Sequence, residues 1–129
     1  MHKGGYSCVV RNGEDVRTFT KRGVADLFEL VTTKSDFLQG SSIADKVIGK
    51  GAAALMVKGG VQYVYADVIS MPALDLLRSA GIDVRYSKVV SHIINRAGTG
   101  ICPVEQRCLP LAEVDDMVAT IRDFIAAMQ

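Results

Sequence analysis

From Ser42 to the Gly59-Gly60 pair the chain is a nearly continuous series of small and apolar side chains, and no other segment narrows the choice of fold as much. Read at helical spacing, Ile43, Val47, Gly51, Ala54 and Leu55 make one face, and Gly49, Ala52, Ala53 and Met56 the other. Ser42-x-x-Asp45 resembles a capping box, and Gly59-Gly60 is a stop signal. The spacing therefore predicts a helix small or apolar nearly all round, the kind that is buried on both sides.

The flanking segments supply what could bury it. Ser7 to Arg11 and Asp15 to Thr20 read as a hairpin around Asn12-Gly13. Val24, Leu27, Phe28 and Val31 recur at i, i+3, i+4 and i+7, predicting an amphipathic helix that ends near Lys34, with a loop at Asp36 to Gly40. Val61 to Ile69 is β-rich without clean alternation, as expected of a central strand covered on both faces. Ser70 can cap a following helix with Pro72 in its first turn and Gly81 as its stop. Ile82 to Tyr86 is a further strand and Val89 to Asn95 a short fifth one. Val114, Met117, Ile121, Phe124 or Ile125, and Met128 form the stripe of a last helix, with Glu113, Asp115 and Asp116 at its positive end. The order β-β-α-α-β-α-β-β-α predicts an α/β fold with a mixed sheet and helices on both faces.

A chain of 129 residues, 49% hydrophobic and 22% charged, fits one globular domain. A net charge of +1 with 6% aromatics and no Trp argues against a nucleic-acid partner. No run approaches the roughly 18 apolar residues of a spanning helix, and the N-terminus lacks a signal-peptide pattern, so no membrane partner is expected. Three cysteines, Cys8, Cys102 and Cys108, match no secreted framework, which points to reduced thiols in the cytoplasm.

Four strings carry a resemblance: Arg22-Gly23-Val24, Ala44-Asp45-Lys46-Val47-Ile48-Gly49-Lys50, Ser70-x-x-Ala73, and Asn95-Arg96-x-Gly98-Thr99-Gly100-x-Cys102-Pro103-x-Glu105. Together they resemble the DUF1893 family, small TM1506-like prokaryotic proteins of unknown function, along nearly the whole chain. The resemblance implies a single domain over 1–129 with a cytidine-deaminase-like three-layer fold and a sheet of about five strands. It implies no activity. A zinc deaminase carries His-x-Glu at one helix start and Pro-Cys-x-x-Cys at the next, giving three metal ligands and a proton shuttle. Here the corresponding starts read Asp45-Lys46-Val47 and Pro72-Ala73-Leu74, which hold no His or Cys, so the expectation is no metal, no cofactor and no zinc deamination.

The remaining candidates each admit two readings. Asp45 is a helix-capping residue or a site carboxylate. Lys46 and Lys50, at i and i+4 on one helix, repel each other and must snorkel, pair or face a cleft. A lysine in a cleft would bind phosphate or carboxylate, or lower a thiol's pKa. Cys102 is a small hydrophobe or a reactive thiol, with Glu105 three residues on. Gly98-Thr99-Gly100 with Asn95 and Arg96 is an anion cradle or a tight turn, and it is neither a Walker nor a Rossmann string. Cys108 and His92 read as structural.

These readings converge on a small anionic or nucleotide-like ligand held by Asp45, Lys50, Cys102 and Glu105, with Lys46, Ser70 and the glycine loop around them. If there is catalysis, Cys102 is the nucleophile or redox thiol, Lys50 its activator, and Asp45 or Glu105 the base. The alternatives are a sulfur-handling accessory protein that maintains iron–sulfur centres, and a sensing module that binds without turnover. Pairing into a homodimer is expected only by analogy with the fold.

Overall fold

The Asn12-Gly13 signal forms its hairpin one residue further along. Strand β1 (Cys8–Asn12) pairs antiparallel with β2 (Asp15–Phe19), Asn12 lying opposite Asp15, so the two-residue loop is Gly13-Glu14. Gly13 has φ 61°, the left-handed value that the first position of a type II′ turn requires. The computed structural model describes residues 8–19, 25–33, 35–93 and 103–127.

Helix α1 (Ala25–Thr33) buries Leu27, Leu30 and Val31. The expected loop at Asp36 to Gly40 is in part a helical turn, α2 (Ser35–Leu38), which inserts Leu38 fully into the core.

The long buried helix is corrected in its first half. Ser42–Ile48 is a strand, β3, and only Lys50–Gly59 is helical, α3. Ile43, Val47 and Ile48 branch at Cβ and favour the pleated backbone, and β3 is paired on both sides, antiparallel to β1 and parallel to β4 (Tyr63–Ser70). Gly49 is extended at φ −100°, ψ −179° and separates strand from helix. The Ser42–Asp45 capping box therefore does not exist, and Lys46 and Lys50 do not share a helix face. What survives is the burial. Gly51 to Met56 are all buried, because α3 is packed against α1, α4 (Met71–Ser79), α5 (Pro103–Cys108) and α6 (Val114–Ala127). Its end is a glycine cap, Gly60 at φ 78° donating to the Met56 and Val57 carbonyls.

The last strand, β5 (Asp83–Val90), is continuous, so the expected short strand at Val89 to Asn95 is in its described part the end of β5, followed by residues 91–93. The sheet order is β2-β1-β3-β4-β5, with β3, β4 and β5 parallel. The α/β architecture with a five-stranded mixed sheet is as the sequence predicts. The crossovers β3-α3-β4 and β4-α4-β5 join neighbouring parallel strands, and their helices α3 and α4 pack on each other.

Register then fixes the site. Ile48 lies beside Ile69, and Ser70 beside Val90. The starts of α3 and α4 and the segment after β5 consequently meet at the carboxyl ends of the parallel strands, where open α/β sheets place their ligands.

Candidate functional site

Glu105 occupies that meeting point and is 1% exposed. Its Oε1 accepts from the backbone N–H of Lys50 at 3.0 Å and from the Ser70 hydroxyl; its Oε2 accepts from the Ile93 N–H. A buried carboxylate survives only when its oxygens are filled, and here one side chain ties α3, α4 and the strand exit to α5. The placement is electrostatically sound, because the Lys50 N–H belongs to the first turn of α3, the positive end of that helix. Ser70 is the expected cap: its Oγ also accepts from the Ala73 N–H at 3.3 Å.

Lys50 completes the junction from the other direction. Its Nζ donates to the carbonyl oxygens of Leu109 and Leu111 at 2.9 and 2.8 Å. One residue thus holds α5 through Glu105 with its backbone and the segment behind α5 with its side chain. The flanking glycines allow the approach. A Cβ on Gly51 would lie 2.5 Å from Val104 Cγ1, and one on Gly49 would lie 3.3 Å from Glu105 Oε1.

Beside this junction lies an open groove of about 640 Å³. Lys50, Asp75, Ser91 and His92 give it polar chemistry, and Met71 and Leu111 are among its apolar walls. His92, read as structural from the sequence, and Asp75, Ser91 and the Leu109 and Leu111 carbonyls were not identifiable as site groups. The one available signal was Gly49-Lys50-Gly51, two glycines around a lysine directly after a β-branched run.

The expected constellation is only partly assembled. Lys50, Ser70 and Glu105 come together. Asp45 does not join them: it lies on β3 between Cys8 of β1 and Ala66 of β4. Burial pushes its carboxyl up to about 7, Asp67 adds to the rise, and hydrogen bonds from the Val47 and Lys46 backbone oppose it. Lys46 is half-buried on the same strand. Cys102, Asn95, Arg96, Gly98, Thr99 and Gly100 lie outside the described residues. Glu105, expected as a base, has both oxygens engaged and is shut off from solvent. Cys108 is fully buried in the core, consistent with a packing role. Among the described residues no group of three His, Cys, Asp or Glu side chains is arranged to hold a metal ion, and no helix is long and apolar enough to cross a membrane.

Fold and site together define an α/β protein whose parallel-strand ends are tied by a buried carboxylate beside an open groove. The chain belongs to the DUF1893 family, a domain of unknown function, whose TM1506 model matches residues 1–125. The crystal structure of a DUF1893 family protein (TM1506) from Thermotoga maritima is similar, with a TM-score of 0.84 and 25% identity over 92% of this chain and 80% of that one. No curated protein matches the chain.

Proposed function

We propose that this protein binds a small anionic or nucleotide-like molecule in the groove beside Lys50, on a deaminase-like scaffold that does not use zinc. The observation that carries the reading is the state of the Lys50 ammonium. It has three N–H donors, two of which are directed at the Leu109 and Leu111 carbonyls, and it sits in the wall of an open groove together with His92 and Ser91. A lysine pre-positioned in this way contributes charge without ordering a free side chain on binding. Asp75, also in the groove lining, favours a ligand that carries a donor as well, as a nucleobase does.

A thermal-shift series with nucleotides, nucleosides and sugar phosphates tests this. One class should raise the melting temperature, since a ligand at 100 times its dissociation constant adds about 2.7 kcal/mol. The shift should shrink in His92→Ala. Silence across the whole series would remove the proposal.

A second reading, thiol chemistry at Cys102, is favoured by one feature. Cys102 directly precedes Pro103, the first residue of the helix that Glu105 fastens. Iodoacetamide should then alkylate Cys102 faster than Cys8, and Cys102→Ser should remove that fast phase.

A further inference from the structure

The two edges of the sheet are unlike. β2 is five residues long and carries Asp15 and Arg17, a short charged edge of the kind that discourages pairing. β5 is eight residues long, has no proline, and is exposed or half-exposed at every position. Four of the five large hydrophobic residues exposed among the described residues gather here: Tyr63 on β4, Tyr86 and Val89 on β5, and Met71 where α4 begins. Only Val16 lies elsewhere.

The backbone of β5 is directional. The Asp83 N–H donates to the Gln62 carbonyl, so Asp83, Arg85, Ser87 and Val89 turn their polar groups toward β4. Val84, Tyr86 and Lys88 therefore turn theirs outward, at the end of the sheet order. A row of outward donors and acceptors flanked by exposed apolar side chains is a template for another strand.

We infer that β5 pairs antiparallel with β5 of a second copy of this chain, joining two five-stranded sheets across a two-fold axis at Tyr86. A two-fold pairing sets a residue against itself or against one of the same parity. With Tyr86 on the axis, Val84 faces the partner's Lys88, Arg85 faces the partner's Ser87, and Asp83 faces the partner's Val89. No like charges are opposed, and the outward groups of Val84, Tyr86 and Lys88 all find partners. Sliding one step toward the N-terminus sets Arg85 against the partner's Arg85. Sliding one step the other way puts Ser87 on the axis and turns Tyr86 toward the partner's Lys88, burying less apolar surface.

Sedimentation equilibrium of the wild type and of Lys88→Pro tests the pairing. Proline at 88 removes an outward N–H that pairs with no other strand among the described residues, so the variant should keep its circular dichroism and become monomeric. Tyr86→Cys gives an independent readout. Cα atoms of a hydrogen-bonded antiparallel pair are about 5.5 Å apart, inside the range of about 4.4–6.8 Å that a disulfide spans. Oxidation should therefore link residue 86 to residue 86 of the partner, found by peptide mapping. A dimeric wild type, a monomeric folded Lys88→Pro and the 86–86 link are expected. A monomeric wild type, a dimer that survives Lys88→Pro, or a dimer that yields no 86–86 link would overturn the pairing. If Lys88→Pro fails to fold, the link alone decides.

Discussion

Glu105 is shut off from water and Asp45 is half-buried in the same domain, and their surroundings give the two carboxylates opposite effects. Glu105 sits at the start of α3 beside the cap of α4 and receives hydrogen bonds from three segments. Asp45 sits in the middle of a paired strand, where burial dominates and its carboxyl is pushed up to about 7. Burial by itself does not decide whether a carboxylate helps or harms: three segments close donors on Glu105, whereas at Asp45 the hydrogen bonds from the Val47 and Lys46 backbone do not offset desolvation. Glu105 therefore fastens the fold, and Asp45 is tolerated at neutral pH at a cost.

The comparison can be broken most forcefully at Glu105. Glu105→Ala leaves buried N–H groups and a hydroxyl without their acceptor and should lower stability by about 3–5 kcal/mol, read by urea unfolding. Gly51→Ala comes next. Its Cβ would lie 2.5 Å from Val104 Cγ1, so a loss of about 1–3 kcal/mol is expected, partly recovered by Val104→Ala.

Asp45 sharpens the contrast through pH. Its folded pKa is raised above the unfolded value of 3.8, so the native state holds the proton more tightly. The stability it contributes is complete below about 4, falls as pH rises toward about 7, and is flat beyond. Asp45→Asn should remove that slope and be more stable than wild type at pH 8, by on the order of 2 kcal/mol. The smallest effect belongs to Lys50→Met, which removes the donors to Leu109 and Leu111 and should cost about 1–2 kcal/mol in urea unfolding.

Sequence reasoning located the hairpin, the central strand, the Ser70 cap and the last helix, because each has a local signal in turn chemistry or periodicity. It failed at Ser42–Ile48, where Ile43 and Val47 satisfy a helical spacing as well as a strand. Only the pairing of β3 with both β1 and β4, a non-local fact, decides between them. That error carried Asp45 into the site, since it put Asp45 at the start of a helix, next to Lys46 and five residues before Lys50. Glu105 and Lys50 were legible as important residues, but their roles were not. Nothing near Glu105 in the sequence says that the Lys50 and Ile93 N–H groups will close on it.

The most direct test sets the two amide variants side by side. Urea unfolding of wild type, Glu105→Gln and Asp45→Asn at pH 8 replaces each carboxylate by its near-isosteric neutral form. Glu105→Gln should be less stable than wild type and Asp45→Asn more stable. Shifts of the same sign in both variants would contradict the claim that one carboxylate fastens this fold while the other strains it.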